Sequence, residues 1–261
     1  MGGRIEVRRE GALGWIVFDH PERRNAISEQ MWGALPQAAA ELGADPAVRV
    51  VVLRGAGELA FVSGADISEF ERIRTGGAAA RGYETLTDAA FSALFSLSKP
   101  VIAMVHGFCV GGGLALALTA DLRFASEDAR FAIPAARLGL GYGEAGIRIL
   151  VDLVGPSCAK EILFTARLLD APHALRMGLV NGVFPKASLE QEVRSSAQVI
   201  AENAPLTLAA VKRVVAEFAR DEASRDRVAT AAAVRACFES EDYREGVRAF
   251  LEKRRPRFQG R

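Results

Sequence analysis

Short hydrophobic runs and stretches of helical periodicity alternate over the first 184 residues of the chain. The runs Ile5–Arg9 and Trp15–Asp19 flank a turn-forming segment with two glycines and predict a strand pair. Val48–Arg54 and residues 101–105 are almost continuously apolar, which is typical of buried strands. Two further short strands are predicted at Asp121–Ala125 and Val180–Phe184.

Helical patterns fill the intervals and the whole C-terminal part. Ser28–Leu42 is the clearest, with Ser28 at the N-cap position. Further helices are predicted at Asp66–Arg74, Arg81–Leu97, 144–154, 157–166 and 171–177, with a flexible connection at Thr75–Ala80. From Leu189 onward only helices are predicted, broken at Pro205 and near Asp221. We therefore expect an α/β core over residues 1–199 and a helical C-terminal region over residues 200–261.

Composition and charge restrict the class of protein. Half of the 261 residues are apolar, and 33 basic side chains nearly balance 32 acidic ones. This balance argues against nucleic-acid or membrane binding by the chain as a whole. Basic residues cluster only in the last fourteen positions, Arg248–Arg261. This basic segment can be interpreted as a phosphate clamp, a solvated surface or an RNA-binding patch.

The three cysteines and three histidines are widely spaced, and no CxxC or metal-ligand spacing occurs. The first residues lack an apolar signal segment, and no run approaches the roughly 20 apolar residues of a membrane span. We expect a cytoplasmic protein without a metal. His106, directly after a buried strand, is expected to be a core histidine bonded to backbone.

A glycine-rich helix start is the strongest chemical signal. The strand-like run Pro100–Val105 precedes Gly111, Gly112 and Gly113, and an apolar helix follows them. Glycines let a ligand approach the main chain, and the first helical turn offers unpaired N–H groups at the positive end of the helix dipole. No Lys-Ser/Thr follows, which argues against a P-loop and favours an oxyanion such as a thioester enolate as the ligand.

A second stretch, Ala60–Ile67, ends a strand in Ser-Gly and begins a helix with an acidic residue in its first turn. Taken alone, it is an ordinary strand-to-helix turn. If the strands before them are neighbours, however, the backbone N–H groups of Ala65 and Gly112 can together form an oxyanion hole.

At this point the chain resembles the enoyl-CoA hydratase/isomerase, or crotonase, family. The resemblance extends in order over nearly the whole chain. It is carried by Pro21-Glu-Arg-Arg-Asn25-Ala26, Phe61-Val-Ser-Gly-Ala65-Asp66-Ile67, Lys99-Pro100-Val-Ile-Ala, Gly111-Gly-Gly113, Ala120-Asp121-Leu-Arg, Phe131-Ala-Ile-Pro134, Leu138-Gly139-Leu140, Val154-Gly155, Ala174-Leu-Arg-Met-Gly178-Leu-Val180 and Phe250-Leu-Glu-Lys253-Arg254.

The resemblance implies a crotonase-type spiral of ββα units, trimers or hexamers built through the C-terminal helices, and binding of acyl-CoA thioesters. No cofactor beyond the coenzyme A of the substrate is implied. The oxyanion donors would fall on Ala65 and Gly112. The coenzyme A pocket would be lined by Arg24, Ala26, Asp66 and Ile67, with Lys253 at the 3′-phosphate, often that of a neighbouring subunit.

Two departures change the expected reaction. Hydratases of this family use two glutamates to add water, and the corresponding positions here are Ala115 and Ala135. A methyl group can neither hold nor transfer a proton, so hydration would lack both acid–base groups. We therefore expect an acyl-CoA enzyme that is not a standard hydratase, or else a non-catalytic acyl-CoA binding or carrier protein.

Tyr142 and Glu144 are the remaining candidates for proton transfer. In the methylmalonyl-CoA decarboxylase branch a tyrosine occupies the position of Tyr142, so the resemblance implies decarboxylation or isomerisation. Tyr142 can equally be a ring packed under the acyl pocket, and Glu144 can simply complement a helix dipole. The pattern Gly141-x-Gly143-x-x-Gly146 formally matches a nucleotide-binding fingerprint but lacks the strand that should precede it.

Overall fold

The computed structural model describes residues 2–66, 69 and 77–261, and the strands in this part of the chain form two sheets. The larger sheet has the order β1-β2-β3-β5-β7-β10 and the smaller one β4-β6-β8-β9. The strands are β1 (Arg4–Glu10), β2 (Leu13–Asp19), β3 (Val50–Gly55), β4 (Ala60–Val62), β5 (Val101–Val105), β6 (Phe108–Val110), β7 (Leu122–Ser126), β8 (Arg130–Ala132), β9 (Leu169–Asp170) and β10 (Gly182–Phe184).

The helices lie between and after these strands. They are α1 (Glu29–Ala44), α2 (Gly77–Phe95), α3 (Gly112–Leu118), α4 (Glu144–Thr165), α5 (Ala171–Arg176), α6 (Leu189–Ala201), α7 (Pro205–Phe218), α8 (Arg227–Glu239) and α9 (Glu241–Leu251). Ser28 caps α1 as predicted, its side chain accepting the N–H of Met31. The two helices predicted around residue 155 meet at Gly155, whose φ of 76° interrupts α4.

A ββα repeat organises the core. β3 and β4 precede α2, β5 and β6 precede α3, and β7 and β8 precede α4, so each unit adds one strand to each sheet. Within each sheet the strands of successive units pair in parallel. The antiparallel pair β1–β2 extends the larger sheet. The expected α/β spiral of ββα units is confirmed.

Both faces of the larger sheet are buried, which explains its continuous apolar runs. One face packs against α1, α2, α3 and the smaller sheet through residues such as Phe18, Leu53 and Phe61. The other face packs against Leu189 and Val193 of α6. Helix α6 therefore covers the sheet, whereas α7, α8 and α9 lie beyond it.

The structure also differs from the sequence-based prediction. The short strand β6 separates β5 from the glycine-rich helix, and β8 was not predicted at all. Three-residue strands carry too few side chains to show a periodicity. Residues 77–80, predicted as flexible, begin α2, and most of the helix predicted at 66–74 lies outside the described residues. Within the described ranges, no helix is long and apolar enough to cross a membrane.

Candidate active site

Two neighbouring strands of the smaller sheet bring the predicted oxyanion donors together. β4 and β6 pair in parallel, with Ala60 opposite Phe108. Parallel strands end at the same sheet edge, so the segments after them lie side by side. A Cβ atom built on Gly112 would lie 3.7 Å from the backbone nitrogen of Ala65. The geometric condition for a shared oxyanion hole is thus met.

The backbone around Ala65 leaves its N–H group available. Residues Ile27 and Ala65 form a parallel bridge, in which the N–H of Ile27 donates to Gly64 (2.8 Å) and the N–H of Asp66 donates to Ile27 (2.9 Å). The Ala65 N–H between them donates to no acceptor within the described part of the chain. A partly buried backbone N–H group without an acceptor is uncommon, and such a group is suited to bind a ligand oxygen.

Gly112 begins α3, and the first N–H groups of a helix have no acceptor within it. Gly111, the N-cap, has a φ of 54° that favours glycine, and its own N–H donates to Ala132 at 2.8 Å. Gly113 lies against β4, where an added Cβ would be only 2.1 Å from the carbonyl oxygen of Val62. The glycines therefore press the positive end of α3 against β4.

The opposite end of α3 is held by Arg123, which is 4% exposed. Its guanidinium donates to the carbonyl oxygens of Ala120 (2.6 Å) and Leu179 (2.9 Å). Burial lowers the pKa of Arg123, but the three N–H bonds to carbonyls, with Ala117 as the third acceptor, satisfy the charged group. Arg123 ends the motif Ala120-Asp121-Leu-Arg, but its structural role was not predicted, although an arginine within an apolar strand is a usable signal.

The predicted coenzyme A residues before α1 lie beside Ala65. The guanidinium of Arg23 pairs with the buried carboxylate of Asp66 at 2.9 Å, and the side chain of Arg24 lies 4.9 Å from the ring centre of Phe108 in β6. Ala26 is buried, and Ile67 lies outside the described residues. Arg24 and Ala26 thus belong to the segment that pairs, through the Ile27–Ala65 bridge, with the segment carrying Asp66.

Asn25 organises this loop. It has a φ of 56°, a conformation that asparagine tolerates better than most residues. Its side-chain amide donates to the carbonyl oxygens of Ala56 (2.9 Å) and Ala60 (2.8 Å), and its Oδ1 accepts the N–H of His20. The role was not predicted, because both acceptors are distant in sequence.

Lys253 is not brought to this site within the single chain. It lies just after α9 and is exposed, and no described contact joins it to residues 21–26 or to Asp66. Much of the basic tail is already paired: Arg248 and Arg254 bind the carboxylate of Glu245 and hold the pKa of that group far below its usual range. Lys253 makes no ion pair in the described part of the protein.

The two alanines at the usual acid–base positions and the two candidate proton donors differ in their burial. Ala115 lies half-buried in α3, and Ala135 is buried in a 3-10 turn at Pro134–Leu138. Tyr142 is half-buried and packs against the hydrophobic core. Glu144 is exposed at the first position of α4, where it complements the helix dipole. Of the two candidate proton donors, Tyr142 is therefore the more buried.

His106 and Cys109 are structural. His106 is 5% exposed and hydrogen-bonds to the backbone of Gly57, as expected of a core histidine. Burial, with the positive charges of Arg54 and Lys186, lowers the pKa of His106 to about 4. Burial also raises the pKa of the Cys109 thiol. Among residues 2–66, 69 and 77–261, no three His, Cys, Asp or Glu side chains are grouped to hold a metal ion.

Comparison with known proteins shows the same relationship along the whole chain. The family model described as enoyl-CoA hydratase/isomerase matches residues 8–261. A short-chain-enoyl-CoA hydratase from Clostridium acetobutylicum is 35% identical over 96% of this chain and 95% of its own. A carnitinyl-CoA dehydratase from Salmonella typhi is 35% identical over the full length of both.

A solved structure agrees with these matches. The crystal structure of an enoyl-CoA hydratase/carnithine racemase from Magnetospirillum magneticum superposes with a TM-score of 0.94 at 34% identity, covering 98% of this chain and 96% of that one. Sequence and fold therefore agree, and the chain belongs to the enoyl-CoA hydratase/isomerase (crotonase) family.

Proposed function

We propose that this protein binds acyl-CoA thioesters and stabilises a thioester enolate between the backbone N–H groups of Ala65 and Gly112. The observation that carries the proposal is the pair of unbonded donors at adjacent ends of β4 and β6. The Gly112 donor also lies at the positive end of α3. Preorganised donors of this kind stabilise developing negative charge in a site shielded from water.

The reaction we propose is one that needs no acid–base pair: decarboxylation, in which one donor protonates the enolate left by loss of CO2, or isomerisation, in which one group removes a proton and returns it at another carbon. Ala115 and Ala135 supply no acid–base group, which disfavours hydration. The phenol of Tyr142 is neutral at pH 7 and can deliver a proton without placing negative charge beside the enolate. Glu144 is the second candidate donor, and its exposure at the helix start counts against it.

A turnover screen over enoyl-, malonyl- and methylmalonyl-type CoA thioesters tests this proposal. We expect turnover of a substrate that forms an enolate by decarboxylation or isomerisation. Hydration of crotonyl-CoA should be near background, because losing one general acid–base group costs about 10²–10⁴-fold. Robust hydration by the unmodified protein would contradict our interpretation of the two alanines.

A non-catalytic acyl-CoA binding or carrier protein is the second candidate. It is favoured by the loss of both acid–base positions while the backbone donors remain in place. Tight binding of every thioester in the same screen, without turnover of any, would assign this function.

For the coenzyme A moiety, we propose a pocket formed by Arg24, Ala26, Asp66 and Ile67, with Lys253 at the 3′-phosphate. The unpaired charge of Lys253 supports this role. Lys253→Glu should weaken binding of coenzyme A more than that of dephospho-coenzyme A, measured by calorimetry. Equal weakening of both would remove Lys253 from the phosphate.

We propose that residues 200–261 form the interface of a trimer, or of a hexamer of two trimers. An apolar groove of about 710 Å³ is lined by residues of α7, α8 and α9. Its lining includes Val215, Phe238 and Phe250, whose exposed fractions are 62%, 63% and 83%. Exposed apolar surface of this kind is typical of subunit interfaces. Sedimentation showing only monomer at micromolar concentration would contradict the proposal.

A further inference from the structure

The indole ring of Trp32 lies beside the two residues that carry the backbone donors. The Cβ position on Gly112 that lies 3.7 Å from the Ala65 nitrogen is 3.4 Å from Cζ2 and 3.8 Å from Cη2 of Trp32. Gly112 and Ala65 are half-buried, whereas Trp32 is only 1% exposed. The benzo edge of the indole therefore faces the Cβ position of Gly112 from the buried side, close to the two donor residues.

The indole is held firmly in this position. Trp32 lies in the first turn of α1, directly after the Ser28 cap. Its ring meets Phe91 of α2 edge to face, with the ring centres 5.3 Å apart and an angle of 66° between the planes. A side chain fixed by two helices can present the same atoms to a ligand without reorganisation.

An aromatic edge has chemistry suited to this place. The ring quadrupole makes the edge positive, so its C–H groups attract an oxygen that carries negative charge. The benzo edge is also apolar and buried, so it offers no hydrogen-bond partner to water, which would weaken the electrostatic effect of the donors. A negatively charged side chain at this position would instead repel the oxygen.

We propose that the Cζ2–Cη2 edge of Trp32 is the third component of the oxyanion hole, contacting the thioester oxygen beside the N–H groups of Ala65 and Gly112. The inference rests on the proposed function, since it assumes that a thioester carbonyl enters the gap between the two donors. It adds a side chain to a site otherwise made of backbone groups. Unlike those groups, this side chain can be replaced by mutagenesis.

Infrared spectroscopy of bound butyryl-CoA, ¹³C-labelled at the thioester carbonyl, tests the proposal directly. Polarisation by the hole lowers the carbonyl stretching frequency on binding to the wild type. Trp32→Phe and Trp32→Leu should reduce this shift and weaken binding by about 3- to 10-fold. A shift equal to that of the wild type in both folded variants would overturn the role of Trp32.

Trp15 provides the matched control. It is the other tryptophan of the chain, is 2% exposed, and shares with Trp32 an indole N–H without an acceptor. It packs instead against α6, on the opposite face of the larger sheet. Trp15→Phe should leave the carbonyl shift unchanged.

Fluorine NMR keeps the proposal testable if the Trp32 variants do not fold. In a Trp15→Phe protein grown with 7-fluorotryptophan, the single label lies on Cζ2 of Trp32. Butyryl-CoA should shift its ¹⁹F resonance, while coenzyme A alone, which lacks the thioester carbonyl, should not. Binding of butyryl-CoA without any ¹⁹F shift would refute the contact, whereas failure of the wild type to bind or polarise the thioester would refute the proposed function itself.

Discussion

The ammonium group of Lys212 in α7 lies 2.7 Å from a carboxylate oxygen of Asp121, at the turn that follows α3. The same carboxylate oxygen accepts the N–H of Val101 at 2.7 Å, and Lys212 also donates to the carbonyl oxygen of Lys99. Two residues after Asp121, Arg123 holds the C-terminal end of α3. A helix of the C-terminal region is thus bonded to the turn that follows the helix carrying Gly112.

Removing this link should loosen α7 from the core. Lys212→Met leaves the carboxylate of Asp121, whose side chain is 35% exposed, with one partner fewer, and because solvent screens this pair we expect the free energy of unfolding to fall by about 0.5–1 kcal/mol. Urea denaturation measures the change. Lys160→Met is the control, since Lys160 is exposed and makes no ion pair in the described part of the chain.

The adjacent glycines Gly112 and Gly113 should respond differently to alanine. In Gly113→Ala the new methyl would lie 2.1 Å from the Val62 carbonyl oxygen, so α3 must shift, at a cost of about 1–3 kcal/mol or more. In Gly112→Ala the methyl makes only ordinary contacts and fills the gap beside Ala65. We expect Gly112→Ala to fold normally and to lose butyryl-CoA affinity. A stable Gly113→Ala variant would contradict the close packing of α3 on β4.

Tyr142→Phe tests the proton donor. The ring is kept and only the hydroxyl is lost, so acyl-CoA affinity should stay within a few-fold while turnover falls by about 10²-fold or more. Steady-state kinetics on the substrate found by the screen measures both. If Glu144→Gln gives the larger loss of turnover, the proton is handled by Glu144. Full turnover in Tyr142→Phe would leave Tyr142 with a packing role.

His106 should make the protein acid-sensitive. Because burial holds its folded-state pKa at about 4, below the ordinary 6.5, the native state favours the neutral ring. This contribution is fully present above pH 6.5 and is lost as the pH falls from 6.5 to 4, by up to about 3 kcal/mol. Unfolding free energies measured over this interval should decline less steeply in His106→Gln. Equal slopes in the two proteins would show that the ring titrates normally.

Much of the fold was predictable because buried strands and amphipathic helices leave patterns in the sequence. The runs that became β2, β3 and β5 are apolar on both faces, and Ser28 marks the start of α1. The three-residue strands β6 and β8 leave no such pattern. Their existence depends on pairing with neighbours supplied by other units of the spiral.

The site was predictable only in its glycines and turns. Ala65 and Gly112 were identified from local sequence together with a family resemblance, and β4–β6 pairing then placed them side by side. For Asn25, Arg123 and Trp32 no structural role was predicted. Each acts on atoms distant in the chain, so local spacing carries no sign of it.

The stacking of successive ββα units has a consequence for how the protein is made. Ala65 follows the first unit's strand in the smaller sheet and Gly112 follows the second's, so neither unit alone contains both donors. A nascent chain that has emerged only as far as α2 contains one of the two proposed donors and should not bind a thioester. If the proposed function holds, acyl-CoA binds, and by mass action protects, only chains in which both units have already stacked.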